Sequence, residues 1–401
     1  MEKQPTIDEL IHEFCPDGVE YKELGDLVAY EQPGKYIVVN TDYQFHKNNN
    51  VIPVLTAGKS FILGYTSEKN HKYFANELRP VIIFDDFTTS FHWVDFEFSV
   101  KSSALKILYS ISNDNLRFIY YAMKCINYST LDHSRQWISN FSHFRIPVPP
   151  LPVQKEIVRI LDSFTELEAE LEAELEARKK QYEYYHNTLM NFVNRNDVEW
   201  VSVGDCFEFK NGINKGKAFF GKGSYIVNFT DVYNNRWLSK AMLRGRVVTE
   251  PRESKVYSAR KGDVFFTRTS ETKEDIGMVS TLIEDIDGCV FSGFVLRARP
   301  TTHHWIPKFC AYYFSSNIIR NEIDRYASFT TRALTSGPRL SKLKLPLLTI
   351  SEQQRIVDIL DRFDTLCNDI SVGLPAEIEA RHRQYEYYRD RLLTFKEIHH
   401  E

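Results

Sequence analysis

Two α+β domains in tandem, each followed by a long helix, with the two helices pairing as an antiparallel coiled coil under pseudo-two-fold symmetry: this is the fold class that the 401-residue sequence predicts. Three observations predict it. A pair of helical segments recurs at offsets of 199 and 203 residues, each carries one narrow apolar stripe, and the regions between them mix short strand-like and helical patterns. A chain this long exceeds what one core supports, and the pattern divides it into 1–150, 151–193, 194–349 and 350–401.

In the first domain, Val81–Phe84 and the alternating stretch Phe91–Val100 read as strands, and Asn113–Ile126 as a helix capped by Asn113. The first helical segment follows. Ile157, Leu161, Phe164, Leu167, Leu171, Leu175, Arg178, Tyr182, Tyr185, Leu189 and Phe192 advance in steps of three and four, which is a coiled-coil seam. In the second domain strands are expected near Ser224–Phe229, Asp263–Thr267 and Cys289–Arg299, with a helix from Pro307 through Ile323. The second helical segment repeats the seam through Ile356, Leu360, Phe363, Leu366 and Ile370, then Ile378, Arg381, Tyr385, Tyr388, Leu392 and Phe395. Gly373 and Pro375 predict a break near Val372–Pro375.

The repeat is close. Gln154-Lys-Glu-Ile-Val-Arg-Ile-Leu-Asp-Ser-Phe164 returns as Gln353-Gln-Arg-Ile-Val-Asp-Ile-Leu-Asp-Arg-Phe363. Glu176-Ala-Arg-Lys-Lys-Gln-Tyr-Glu-Tyr-Tyr185 returns as Glu379-Ala-Arg-His-Arg-Gln-Tyr-Glu-Tyr-Tyr388, identical at 8 of 10 positions. The lead-ins Val19-Glu-Tyr-Lys and Val198-Glu-Trp-Val match, as do the exits Phe144-Arg-Ile-Pro147 and Leu343-Lys-Leu-Pro346. Beyond these flanks the two domains align poorly, as expected of one scaffold reading two different things.

Composition narrows the function. No apolar run reaches the roughly 18–20 residues of a membrane span, and the N-terminus lacks a signal-peptide core. Six scattered cysteines without ligand spacing read as reduced thiols in a cytoplasm. The net charge of −4 conceals a division along the chain. Residues 194–349 hold 24 Lys+Arg against 16 Asp+Glu, a net +8, while each of the other three segments is −4.

Catalytic signatures are missing. No Asn/Asp-Pro-Pro-aromatic loop and no G-x-G-x-x-G occur. Gly216-Lys-Ala-Phe-Phe-Gly-Lys222 has phenylalanines inside the loop, Gly223 where a hydroxyl should bind magnesium, and a strand-like continuation, so it is not a phosphate loop. Asp231, Glu253 and Lys255 imitate a nuclease triplet by chance, and His303–His304 is an isolated pair in a loop. The chain reads as a non-catalytic protein.

Two variable domains, each followed by a helix ending in Arg-x-x-Gln-Tyr-Glu-Tyr-Tyr, resemble the specificity subunit of type I restriction–modification enzymes. The opening Ile7-Asp-Glu-Leu-Ile and Cys15-Pro-Asp-Gly-Val-Glu-Tyr-Lys22 is similar to that family's N-terminus. Val54-Leu-Thr-Ala-Gly-Lys59 and Phe266-Thr-Arg-Thr-Ser-Glu-Thr272 are similar to segments of its recognition domains. The resemblance implies a bipartite, asymmetric DNA target read as two half-sites, directing adenine methylation and restriction. It also implies two methyltransferase subunits and restriction/translocase subunits as partners. No cofactor is expected in this chain; S-adenosylmethionine, ATP and magnesium are expected in the partners. An elongated coiled-coil interaction scaffold without a DNA role is the alternative; it predicts no salt-sensitive DNA binding even with partners present.

DNA reading needs phosphate anchors and base-edge contacts. In the basic domain Lys210, Asn211, Asn214, Lys215 and Lys217 lie on a glycine-punctuated loop. Arg268, Thr269, Ser270 and Thr272 combine a candidate bidentate guanine reader with hydroxyls, and Arg332 sits in a polar stretch. The acidic first domain offers Lys59, Tyr65, Lys69, Lys72, Thr88, Thr89, His92 and Arg135. With so few phosphates neutralised, the isolated chain is expected to bind DNA weakly. Tyr182, Tyr184, Tyr185 and their copies Tyr385, Tyr387, Tyr388 are seam aromatics whose outward members are candidate partner contacts. Three consecutive Glu-Leu-Glu-Ala units, Glu166–Ala177, read as a ruler between the half-sites.

Overall fold

The computed structural model describes residues 5–38, 51–58, 60–130, 134–272, 274–329, 332–369 and 371–398. It forms two compact units: Met1–Leu171 with Ile378–Glu401, and Glu172–Glu377. Each unit takes one variable domain and part of both helical segments.

Seven helices matter here: α1 (Ile7–Phe14), α2 (Leu116–Lys124), α3 (Leu151–Leu189), α4 (Pro307–Phe314), α5 (Asn317–Tyr326), α6 (Ile350–Asn368) and α7 (Leu374–Leu392). Thr6 and Glu9 close a reciprocal capping box on α1. The expected break separates α6 from α7. A Cβ on Gly373 would lie 2.4 Å from the Thr365 carbonyl oxygen and 2.7 Å from that of Leu366, so only glycine lets the chain cross there.

In the first unit β1 (Glu20–Glu23) is paired antiparallel with the return strand β9 (Arg145–Val148). Between them lie β2 (Val28–Glu31), β3 (Ile52–Leu55), β4 (Ile62–Thr66), β5 (Val81–Asp85), β6 (Phe91–Val94), β7 (Ser99–Val100) and β8 (Leu105–Ser110). They form a β2-β8-β5-β6 sheet and a β4-β3-β7 sheet. The first sheet, α2 and the helical seam share one core, in which Ile82, Phe84, Leu108, Phe118 and Tyr121 meet Ile157, Leu161 and Tyr385.

The second unit repeats this plan. β10 (Glu199–Ser202) pairs with β22 (Lys344–Leu347). The main sheet orders β11 (Phe207–Asn211), β19 (Val295–Pro300), β15 (Val264–Thr267), β17 (Val279–Leu282) and β13 (Trp237–Leu238). A smaller sheet holds β14 (Arg246–Val247), β12 (Phe220–Val227) and β18 (Val290–Phe291). A three-stranded antiparallel ribbon joins β16 (Thr269–Ser270), β21 (Ala333–Leu334) and β20 (Ser328–Phe329), with no counterpart among the described residues of the first unit.

Within each unit two helices run antiparallel, and the duplicated residues make the same contact with exchanged origins. In the first unit Phe164 stacks on Tyr388 at 5.4 Å, and Glu168 meets His382 at 3.3 Å, so rising numbers face falling ones. In the second, Phe363 stacks on Tyr185 at 5.4 Å, while Cys367 lies in the field of Lys179 and Arg178.

A second duplicated device holds each domain to its helix. Gln154 is fully buried; its Oε1 accepts from the Asn115 N–H at 2.8 Å, and its Nε2 donates to Asp114 at 2.7 Å and the Pro149 carbonyl at 2.8 Å. Gln353 likewise accepts from the Ile306 N–H and donates to the His304 and Leu348 carbonyls at 2.9–3.0 Å. Asp162 accepts from Tyr121 and Arg117, as Asp361 does from Tyr312 and Lys308. Burial, with the neighbouring carboxylate second, raises the pKa of both tyrosines, so both remain donors.

Five expectations need correction. The cap of α2 is Asn115, whose Oδ1 accepts from Arg117 and Phe118, so the helix starts two residues later than Asn113 would place it. The helix at Pro307 stops at Phe314 and restarts at Asn317, because the Ser315 and Ser316 hydroxyls donate back to the Tyr312 and Tyr313 carbonyls. Phe91–Val100 is two strands, and so is Cys289–Arg299, which turns at Ser292–Phe294. The Ser224–Phe229 strand begins earlier, at Phe220, and Phe229 instead opens a helix, Phe229–Asn234.

Candidate nucleic-acid interface

In the second unit three segments far apart in sequence converge on the turn Ser292–Phe294. Ile213 donates to the Phe291 carbonyl and accepts from the Gly293 N–H, at 2.9 and 2.8 Å. Arg268 donates through its backbone N–H to the Phe294 carbonyl at 3.2 Å and through Nη1 to the Gly293 carbonyl at 3.0 Å. Asn214 packs so closely that a Cβ on Gly293 would sit 1.9 Å from its Oδ1. The Lys210–Lys217 loop and the Arg268 segment are thus brought together, and Thr335 joins them by donating to the Arg268 carbonyl at 3.1 Å.

Beside this junction is an open cavity of about 420 Å³ lined by Thr269, Ser270, Thr272 and Arg332 together with Phe229, Glu271, Asp275 and Phe294. Four of the residues expected to read DNA therefore share one surface. The β16-β21-β20 ribbon carries it, and its β16-β21 pair has the two-stranded width that a major groove admits. Thr272 donates to Asp275 at 2.7 Å, and Asp275 also raises the pKa of Tyr233 through a hydrogen bond.

Other candidates are partly committed to the protein. Lys215 pairs with Glu253 at 2.7 Å and lies over the Phe219 ring at 4.7 Å, so much of its charge is answered locally. Lys210 is half-buried beside Tyr257; Asn211, Asn214 and Lys217 are exposed. The imitation nuclease triplet dissolves: Asp231 accepts from the Asn228 N–H to cap a helix, and Glu253 caps the next.

In the first unit the turn Asp85–Ser90 occupies the position that Arg268–Ser270 holds in the second. It is tied to the segment before the return strand by the Gln136 N–H on the Asp86 carbonyl and the Trp137 N–H on Oδ1, both 2.8 Å. A buried Lys106–Asp86 pair at 3.2 Å fixes it. Thr88 is exposed and Thr89 buried. His92 stacks on Phe61 at 4.7 Å with Nε2 3.0 Å from the Gly58 carbonyl, bringing that loop to the same edge. Arg135 and Lys69 are exposed, and Tyr65 is half-buried on β4. Lys72 is paired with Glu97 at 2.8 Å and covers Phe74, so it is not a free phosphate anchor. Lys59 lies outside the described residues.

Thr89 has φ of 58°, the one non-glycine residue with a positive φ among those described. A β-branched residue in the left-handed region is strained by roughly 1–2 kcal/mol. Thr89→Gly is therefore expected to raise unfolding stability by about 0.5–1 kcal/mol, glycine's extra unfolded-state entropy taking back the rest. A thermal or urea midpoint that falls instead would show the side chain's packing to outweigh the strain.

The tyrosine repeats divide by depth. Tyr385 is buried and Tyr182 half-buried, so these two are core residues and not outward partner contacts. Tyr185 and Tyr388 spend a ring face on the stacked phenylalanines. Tyr184 and Tyr387, 66% and 60% exposed, are the outward members, one on each unit. What sequence reasoning missed is Gly293 and Phe294, in the turn on which these segments converge. Nothing local in the sequence marks them.

Comparison with known proteins agrees with this arrangement. The family model for the type I restriction modification DNA specificity domain matches twice, over residues 16–177 and 195–380. The chain is 39% identical over 402 residues to the type I restriction enzyme EcoR124I/EcoR124II specificity subunit of Escherichia coli, covering 94% of each. A putative type I restriction enzyme specificity subunit of Haemophilus influenzae is 31% identical over 294 residues, 70% of this chain and 72% of the relative. Among solved structures, the type I restriction–modification S subunit from M. genitalium has a TM-score of 0.53 at 14% identity, over 94% of this chain and 97% of that one. A chain of a type I restriction–modification system, solved for its complex assembly and conformational transition, reaches 0.57, also at 14%, over 94% and 98%. At that identity these two likenesses bear on the fold alone. With two recognition domains, a shared helical scaffold and whole-length identity to a characterised relative, the chain belongs to the specificity subunits of type I restriction–modification enzymes, which recognise DNA sequence and leave catalysis to other subunits.

Proposed function

We propose that this subunit reads a bipartite, asymmetric DNA target, one half-site per domain, and directs adenine methylation and restriction by its partners. The observation that carries this is the surface at the second domain's edge, where Arg332, three hydroxyls and the ribbon converge beside Arg268. In this reading phosphates are held by Lys217 and the exposed arginines, and base edges are met by the hydroxyls and guanidinium groups. The outward tyrosines Tyr184 and Tyr387, one per unit in equivalent settings, favour two copies of one partner, which we assign as methyltransferase subunits. Restriction/translocase subunits complete the assembly. S-adenosylmethionine, ATP and magnesium belong to those partners, and the complex works in the cytoplasm. No helix among the described residues is long and apolar enough to cross a membrane.

The test is long-read sequencing of host DNA for N6-methyladenine, with the gene intact and deleted. Loss of one bipartite motif is expected; an unchanged methylome would contradict the proposal. Exchanging residues 204–343 for another member's module is expected to change one half-site and leave the other, and loss of both would contradict modular reading. Arg268→Ala is expected to relax one position of that same half-site, with a loss of about 1–3 kcal/mol of discrimination. Uniform weakening, with the salt slope lowered by about one, would make it a phosphate contact.

A further inference from the structure

We propose that Phe294 is a specificity-determining contact to a thymine C5-methyl group in the half-site read by the second domain. The inference rests on that domain's proposed reading of DNA. Phe294 is 68% exposed, the highest of any phenylalanine among the described residues. Its backbone is nevertheless held from every side. Its N–H donates to the Ser292 hydroxyl at 3.2 Å, its carbonyl accepts from Arg268 at 3.2 Å, and the preceding carbonyl accepts from the Arg268 guanidinium at 3.0 Å. The ring is thus carried on a backbone that is already ordered, so a contact made there costs little further ordering.

Its neighbours decide what it meets. Phe294 walls the cavity that Thr269, Ser270, Thr272 and Arg332 share, all of them groups suited to base edges or phosphates. A phenyl ring offers phosphate nothing. Along the major groove the one apolar group that distinguishes a base pair is the thymine methyl. Glu271, exposed in the same wall, repels a phosphate beside it and can accept from a base amino group. In the first unit the corresponding connection between β7 and β8 is Lys101-Ser102-Ser103-Ala104, without an aromatic residue, so the contact belongs to one half-site only.

The experiment uses the assembled complex of this chain with its methyltransferase subunits and duplexes carrying the methylated motif. Each thymine of the second half-site is replaced in turn by deoxyuridine, which removes only the methyl group. Wild-type complex is expected to lose roughly fourfold in affinity at one such position, the effect of one buried methyl. Phe294→Ala is expected to bind the thymine and uracil duplexes equally well, giving a full coupling in the double-mutant cycle. No sensitive thymine, or a sensitivity that survives in Phe294→Ala, would overturn the proposal. So would loss of co-purifying methyltransferase in the variant, which would make Phe294 a protein contact. So, too, would a rise in 2-aminopurine fluorescence without any uracil effect, which would make it an unstacking wedge. A wild-type complex that cannot tell the second half-site from scrambled sequence would refute the underlying DNA reading, a different result from any of these. Since the ring is mostly exposed, the alanine variant is expected to melt with the wild type, and that is measured alongside.

Discussion

Removing Glu170–Ala173 is expected to leave both half-sites readable and to change the spacer between them, with methylation of the original motif lost. The run Glu166–Ala177 lies inside the single helix α3, and the two compact units part within it, between Leu171 and Glu172. Each four-residue unit carries one half-buried seam residue, Leu167, Leu171 or Leu175, and the glutamates and alanines around them are exposed apart from Glu168, which pairs with His382. Deleting the middle unit therefore moves Leu175 to the register of Leu171 and keeps both the helix and its stripe. What changes is length by about 6 Å and rotation by about 40°. One base pair contributes about 3.4 Å and roughly 35°, so the rotation corresponds to one base pair and the rise to nearly two. A half-site displaced by this much loses its contacts together, and the specific part of binding is on the order of 4–10 kcal/mol. Methylation at the old spacing should fall by about a thousandfold or more, with a new motif of identical half-sites and a shorter spacer in its place. Altered half-site sequences at the old spacing would refute the ruler.

The helical scaffold was legible because duplication prints it twice: the seams, the tyrosine blocks and the break at Gly373 can all be read by comparing one copy with the other. The candidate recognition surface was legible only as types. Hydroxyls and arginines at 268–272 and 332 announce polar contact, and the fold gathers them. Charge alone could not separate free from paired lysines, since Lys72 and Lys215 find their carboxylates 25 and 38 residues away. Gly293 and Phe294 acquire their meaning from segments more than 20 residues distant. The cap of α2 fell on Asn115 and not Asn113 for a tertiary reason: the buried amide of Gln154 holds the Asn115 N–H. The likeness of α2 to α4 escaped alignment because few residues correspond: Arg117 and Tyr121 bond Asp162 in the first unit as Lys308 and Tyr312 bond Asp361 in the second.

Those shared contacts set the largest expected loss of stability. Gln353→Leu is expected to cost about 3 kcal/mol, because the fully buried Gln353 amide no longer answers the Ile306 N–H and the His304 and Leu348 carbonyls. Leucine fills a similar volume, so the loss is one of hydrogen bonds and not of packing. The neighbouring Gln354 provides the internal comparison. Its amide bonds only Asp358 one turn away, on the exposed face, and Gln354→Leu should stay within about 0.5 kcal/mol of wild type. Urea unfolding measures both variants, and hydrogen exchange locates the change: amides of α4 should open in Gln353→Leu while those of α2 keep their protection. Equal effects from the two glutamines would mean that the amide lock carries no more energy than a surface contact. If the lock holds as argued, the same substitution reaches function through geometry alone. Tyr312 and Lys308 anchor α4 on Asp361, and α4 packs beneath β15, from which Arg268 and the ribbon continue. Loosening that helix should therefore blur the second half-site and spare the first, with no base-contacting residue having been touched.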